Sequence, residues 1–284
     1  GGPIQRVASA IERDGITLVV GAGGTGKSAM VHQLQKQMAA RDCGKLVITA
    51  YTGVAAAPFR GPTLLSLFNM KIDTKSTKRV DYIRPAYRDK VRKKFEEESG
   101  VKVEELGGIV IDEVSFIELG TFGHVDGRRR ALTGNMDLMC GGVPVLLCGD
   151  NHQKPPPAGT PWYRLLVQNA LEGGALVAEG PSLAISRGLR LLHAARRVEL
   201  KRLMRVNEGE EEFAGFLLQM RNIGHEQPVP SGLLDKLRKV SADDLAHDPE
   251  WRFAPVGVIR CRPSTQNIRT SSAQHAQGSV PSYV

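Results

Sequence analysis

The sequence predicts an α/β domain built on a doubly wound, mostly parallel sheet, and two observations predict it. Four short apolar runs, "ITLVVGA" (16–22), "KLVITA" (45–50), "GGIVIDE" (107–113) and "VPVLLCGD" (143–150), are continuous and rich in Val, Ile and Leu. Strands covered on both faces have that composition; half-exposed strands alternate instead. The first run is followed by "KSAMVHQLQKQMAARD", with apolar Met30, Leu34 and Met38 at helical spacing, before the second run begins. Strand, helix, strand in that order requires a crossover and hence parallel pairing.

Residues 71–105 break this rhythm and are highly charged, and are read as an inserted basic subdomain. "EEEFAGFLLQMRNIG" (210–224) has amphipathic helical spacing with Gly224 as its stop, and "GVIRC" (257–261) reads as one more short strand. The last stretch, "RTSSAQHAQGSVPSYV", is polar and aperiodic and is expected to be disordered. These readings divide the chain into a first domain over 1–198, a partial second domain over 199–269 and a tail over 270–284.

Composition bounds the class. At 284 residues, with 41% hydrophobic and 24% charged residues, the chain can bury one large core or two modest ones. No apolar run approaches the roughly 20 residues that span a bilayer, so no membrane role is expected. The opening "GGPIQRV" has neither an initiating Met nor a signal-peptide layout, and reads as a cut start. Cys43, Cys140, Cys148 and Cys261 show no paired C-x-x-C spacing, which disfavours zinc and suits free thiols in an intracellular protein. The compartment is the nucleus or mitochondrion for a eukaryotic chain and the cytoplasm otherwise. The net charge is +8 and unevenly placed: nine basic residues against two acids over 74–94, and seven against one over 185–205. Two such concentrations favour a polyanionic partner, with solvated helix faces as the alternative. If Arg92, Lys93 and Lys94 touch phosphates, neutralising them should flatten the salt slope of binding by up to about two.

The chemistry starts at "GAGGTGKS" (21–28), which fits G-x-x-x-x-G-K-[ST] between a predicted strand and a predicted helix. Gly21, Gly23, Gly24, Thr25 and Gly26 let backbone N–H groups curl around phosphate oxygens, and the helix start adds its positive end. Lys27 reaches the outer phosphates and the Ser28 hydroxyl serves Mg²⁺. ATP and Mg²⁺ are therefore the expected cofactors. "IVIDE" ends a strand in two acids: Asp112 to hold the metal, Glu113 to orient and deprotonate the attacking water. In "CGDNHQKPPP" (148–157), Asp150 and Gln153 lie just past another strand end, where ligands of such sheets bind. Gln153 can hydrogen-bond the γ-phosphate or the water, and Pro155, Pro156 and Pro157 stiffen the loop beyond it.

The phosphate loop, "ITAYTGVAAAPFRGPTLLSLF", "IVIDEVSFI", "CGDNHQKPP" and "LKRLMRVNEGEEEFAGFLLQMRNIG" occur in one order with matching spacing. In this the chain resembles the superfamily 1B DNA helicases, nearest the PIF-type branch and more distantly RecD, well over 1–224 and thinly to about 269. The resemblance implies a RecA-like P-loop NTPase fold with a truncated second RecA-like lobe. It implies that Gln5 contacts adenine, that Thr52, Gly53 and Thr63 contact single-stranded DNA, and that Arg205 reaches the γ-phosphate from the second lobe. Single-stranded DNA or a forked duplex is the implied partner, and DNA repair, recombination or telomere maintenance the implied setting; the oligomeric state stays open.

Departures accompany it. Lys154 stands where the family has an apolar residue, and Ser66 where a His is usual. "HVDGRRRALTG" (124–134) replaces the family's own segment; its three arginines suit DNA-backbone contacts or a solvated helix. The family's later coupling segments have no match. The reading is an ATP-dependent 5′-to-3′ DNA helicase motor that hydrolyses ATP with Mg²⁺ to translocate on single-stranded DNA. The alternatives are an ATP- and DNA-binding module without productive unwinding, or an unrelated P-loop ATPase. From these 284 residues alone the expectation is ATP binding, weak hydrolysis and no strand separation.

Overall fold

The computed structural model describes residues 15–70, 84–153, 156, 161–163, 183–204, 211–222 and 232. All but the last fall in one compact unit, Gly1–Asn222; a second unit is Ile223–Val284. The strand expected at 257–261 and the tail expected beyond 269 lie outside the described residues.

The four apolar runs form β1 (Ile16–Gly21), β2 (Lys45–Ala50), β3 (Leu106–Asp112) and β4 (Val145–Gly149). A fifth strand, β5 (Arg196–Leu200), joins them in one parallel sheet of order β2-β3-β4-β1-β5. β5 crosses position 198, where the sequence reading divides the chain. Its exposed "RRVEL" carries no apolar run, because an edge strand has one wet side and needs none.

Alternate residues of β1 to β4 enter two cores. Val19, Ile48, Val110, Leu146 and Cys148 face Met30, Val31 and Leu34 of α1 (Lys27–Ala40), so the 30/34/38 spacing points at the sheet as its period requires. The opposite face buries Leu18, Val20, Ile109, Ile111, Val145 and Leu147 under three further helices. These are α4 (Pro85–Ser99), α5 (Leu119–Thr133) and α6 (Leu183–Ala194). Two four-residue turns of helix, α2 (Gly53–Ala56) and α3 (Leu64–Leu67), lie between β2 and α4, and α7 (Glu211–Asn222) follows β5.

The stretch expected to be an inserted subdomain shares this core. Its described part holds α4, whose Val91 and Phe95 are 1% and 0% exposed in the same cluster as the sheet residues. Burying a phenyl ring like that of Phe95 contributes about 2–3 kcal/mol. Two of the three arginines of α5, Arg129 and Arg130, correct both sequence readings of that segment. Arg129 is 1% exposed and its Nη2 donates to the Val143 carbonyl at 2.5 Å. Arg130 pairs with the buried Asp126 at 2.8 Å and donates to the Met136 carbonyl. Arg128 Nη2 reaches the Asn69 carbonyl at 3.5 Å. These contacts tie α5 to its surroundings, and neither free phosphate contacts nor a solvated helix describes Arg129 and Arg130. No described helix is long and apolar enough to cross a membrane.

Candidate active site

Sheet order decides which residues meet. β3, β4 and β1 are adjacent and parallel, with Ile111 opposite Leu147 and Val20 opposite Gly149. The segments leaving their carboxyl ends, Asp112-Glu113, Asp150 and the Gly21–Gly26 loop, therefore emerge side by side. Such an end is where ligands of open α/β sheets bind.

The loop is shaped for an anion. Gly24 and Gly26 have φ of 80° and 86°, left-handed values that side chains resist. Gly26 caps α1 without a side-chain bond, so first-turn N–H groups are left for a ligand at the positive end of the helix. Thr25, buried, donates its hydroxyl to the Ala22 carbonyl at 2.9 Å and holds the loop's curve. Lys27 Nζ folds back onto the Gly21 and Ala22 carbonyls at 2.7 and 2.9 Å. Burial lowers the pKa of this ammonium, and the charges of Asp150, Asp112 and the Cys148 thiol oppose the shift. Gly23 and Ser28 are exposed, Ser28 at the second position of α1.

Asp112 ends β3 half-buried and accepts the Glu113 amide at 2.8 Å. Burial pushes its carboxyl up; the Glu113 amide and the Lys27 charge pull it back. Glu113 has φ 53° and ψ 45°. A left-handed backbone on a non-glycine residue stores strain that the surroundings must hold. Its carboxylate Oε2 accepts a hydrogen bond from the Thr52 hydroxyl at 3.2 Å. The donor set suits the cofactors read from the sequence: a backbone anion cradle with a lysine, and one hydroxyl plus one carboxylate for a magnesium ion that keeps phosphate and water as its other ligands. Among the described residues no group of three His, Cys, Asp or Glu side chains could hold a metal unaided.

Asp150 is 4% exposed. It accepts Arg221 Nη1 from the last turn of α7 at 2.7 Å and the His152 amide at 3.0 Å. Burial pushes the carboxyl up, but the Arg221 hydrogen bond, the His152 amide and the charges of Arg221 and Lys27 outweigh it and hold Asp150 below its ordinary value. Sequence reasoning missed Arg221, since nothing in "LLQMRNIG" says that this arginine meets an acid 71 residues upstream. Gln153 is exposed, and its amide donates to the Asp150 carbonyl at 3.0 Å, closing the turn that presents it. Past it, Pro156 is buried and the buried Trp162 donates Nε1 to the Val114 carbonyl at 3.1 Å. Trp162 is thus tied to the turn that begins at Glu113. Lys154, Pro155 and Pro157 lie outside the described residues.

The three residues expected on DNA sit at helix starts. Thr52 and Thr63 cap α2 and α3, their hydroxyls accepting the Ala55 and Ser66 amides, both at 3.3 Å. Gly53 is exposed, and Val54 beside it is 87% exposed. Gln5 and Arg205 lie outside the described residues. Met204, next to Arg205 in sequence, donates its amide to the Gly24 carbonyl of the phosphate loop at 2.8 Å.

The part of the basic run that lies on α4 looks different in three dimensions. Arg92 pairs with Glu96 and Glu104, Lys93 with Glu97 and Lys94 with Glu98, so each of these three cations on α4 already has a carboxylate. Neutralising all three is therefore expected to flatten the log–log salt slope of single-strand affinity by less than about one, against about two for three free phosphate contacts. Titrations at several salt concentrations decide it. A groove of about 790 Å³ lined by Gln35, Lys45, Phe59 and Glu104 contains none of the residues assigned above to nucleotide or DNA.

The profile of the PIF1-like helicase family matches residues 4–228. No curated protein sequence matches the chain. Among solved structures it is similar to a Bacteroides Pif1 bound to single-stranded DNA, at 23% identity and a TM-score of 0.58, over 84% of this chain and 50% of that one. It is similar to the Pif1 helicase of Candida albicans at 20% identity and a TM-score of 0.56, over 83% and 46%. A structure of two coordinating Pif1 helicases at forked duplex DNA gives 22% identity and 0.57, over 83% and 50%. The chain spans about half the length of these solved relatives. At such identities the structures establish a shared fold. The family match runs from before the phosphate loop, through Asp112-Glu113 and Asp150, to beyond α7, and on that span the chain belongs to the PIF1-like helicase family.

Proposed function

We propose that the chain is the motor portion of an ATP-dependent DNA helicase that hydrolyses ATP with Mg²⁺ and moves 5′-to-3′ on single-stranded DNA. The observation that carries this is the meeting of Lys27, Asp112-Glu113 and Asp150 at three adjacent strand ends, with the Thr52 hydroxyl bonded to Glu113. A solved relative is bound to single-stranded DNA and another to ADP-AlF4, and both ligands suit these residues. In this reading Lys27 leaves the Gly21 and Ala22 carbonyls for phosphate oxygens, and the amides of residues 23–28 hold the remainder. Ser28 and Asp112 would hold Mg²⁺, which would supply charge neutralisation at the phosphates. Glu113 takes the proton of the attacking water. Gln153 reports whether the γ-phosphate is present, Gln5 holds adenine, and Arg205 steadies the transferring group.

Thr52, Gly53 and Thr63 contact the strand backbone, with the exposed Arg197, Lys201 and Arg202 adding sequence-tolerant attraction. Free Cys43, Cys140 and Cys148 suit a reducing, intracellular compartment. The test is phosphate release by the 284-residue chain with and without an oligothymidine strand. Stimulation by the strand is expected. ATP binding with no hydrolysis in either condition would leave the chain an ATP- and DNA-binding module.

A further inference from the structure

The hydrogen bond between Thr52 and Glu113 joins a residue proposed to touch DNA to the residue proposed to activate water. Strand register puts them there. Ala50, the last residue of β2, lies opposite Asp112, the last of β3, so Thr52 and Glu113 leave neighbouring strands within two residues of that pair. Neither is loosely held. Thr52 caps α2 through the Ala55 amide, and Glu113 is fixed by its amide bond to Asp112 and by the turn it begins. A chance surface contact between two mobile side chains would have none of this.

The chemistry of a hydroxyl then imposes a choice. A threonine hydroxyl accepts through two lone pairs but has one proton to give. Here it accepts from Ala55 and gives its proton to Glu113 Oε2. A DNA phosphate offers only acceptor oxygens, so the same proton cannot serve Glu113 and a phosphate together. A carboxylate that accepts this bond is held on the Thr52 side, away from any other partner of that oxygen.

We propose that Thr52 is a positioning residue whose single hydroxyl proton restrains Glu113 in the DNA-free protein and is transferred as a hydrogen bond to the strand backbone when DNA binds, freeing Glu113 to accept a proton from water. No covalent bond changes; one hydrogen bond is exchanged for another. The inference rests on the reading of Thr52 as a DNA contact and of Glu113 as the base. It adds that the two are mutually exclusive partners of one proton, which couples strand binding to hydrolysis over two side chains.

The experiment compares the parent chain with Thr52→Val, which keeps the shape and removes the proton, and Thr52→Ser, which keeps the proton. Thr52→Ala is a second deletion should valine disturb α2, and Glu113→Gln sets the background. Phosphate release is followed without DNA and at saturating oligothymidine, and strand affinity is measured separately by fluorescence anisotropy without nucleotide. DNA-free turnover of Thr52→Val is expected to rise about tenfold, the scale of one hydrogen bond to a charged group. Stimulation by DNA should shrink to match, and Thr52→Ser should behave as the parent. Weaker strand binding with unchanged DNA-free turnover would keep Thr52 as a DNA contact and overturn the restraint. A fall in DNA-free turnover would overturn it too, since the hydroxyl would then be holding Glu113 in its working position. Unchanged strand affinity in both deletions would instead remove the DNA-contact reading itself.

Discussion

Replacing Lys27 by alanine is expected to lower ATP hydrolysis by at least about 10²-fold, the scale lost when a preorganised electrostatic partner of a transferring phosphoryl group is removed. Nucleotide affinity should fall with it, while the fold survives. Survival rests on the contacts of Lys27: among the described residues Nζ bonds only the Gly21 and Ala22 carbonyls. Its pKa supports the same conclusion. Burial, the largest influence, holds the folded value below the ordinary one. A lysine so shifted disfavours the folded state while both forms are protonated, and that cost fades only as pH rises past the folded and then the unfolded value. At pH 7 the cost is present, so deleting the ammonium removes a burden as well as two hydrogen bonds. The melting temperature should stay within a few degrees of the parent. Phosphate release, a fluorescent nucleotide titration and a thermal melt read the three quantities. Parental hydrolysis in Lys27→Ala would show that the loop is not the phosphate site.

Most of the sheet, and the residues at its carboxyl end, were legible because they depend on local pattern. Continuous apolar runs marked β1 to β4, and glycines flanking a lysine marked the loop between β1 and α1. α5 was legible only as the solvated-helix alternative over 124–134, and its glycines show why. Gly120, Gly123 and Gly127 argue against a helix by propensity, yet Gly123 lies in one. A Cβ there would stand 1.7 Å from the Ala184 carbonyl, and one on Gly188 of α6 would stand 2.2 Å from the Leu119 carbonyl. Those positions trade propensity for a helix contact too close for any side chain, and only the partner helix reveals the trade. Arg129 misled for a related reason. Three consecutive arginines look like a solvated run, but successive helical residues point about 100° apart, and one of the three turns inward. The cations of α4 were visible as charges while their i+4 carboxylates decided what they are free to bind. Arg221 needed the third dimension altogether.

Arg221→Met is expected to destabilise the chain by about 2–4 kcal/mol at pH 7, less than the loss of a partner in a fully buried pair because Arg221 is itself 23% exposed. The size comes from what remains. Asp150, with a side chain 5% exposed, would keep the His152 amide and the nearby Lys27 charge but lose its closest cation. The dependence on pH separates this cause from lost packing by the arginine stem. In the parent, Asp150 lies below its ordinary value, so it contributes stability that is present above the unfolded value near 4 and is lost as pH falls through the folded one. Without Arg221, burial becomes the dominant influence and pushes the carboxyl up. The variant then carries a cost above about pH 4 that protonation relieves on acidification. The gap between parent and variant should therefore be widest at neutral pH and should close toward about pH 3. Other groups, among them Asp112 and Glu118 with carboxyls raised by burial, titrate in both proteins and cancel in the difference. Urea denaturation of the two at pH 7 and near pH 4 measures it, and the Asp150→Asn, Arg221→Met cycle assigns the coupling to the pair. A gap that is the same at both pH values would mean that Arg221 stabilises through its stem, and that the ion pair ties the end of α7 to the end of β4 without strengthening the fold.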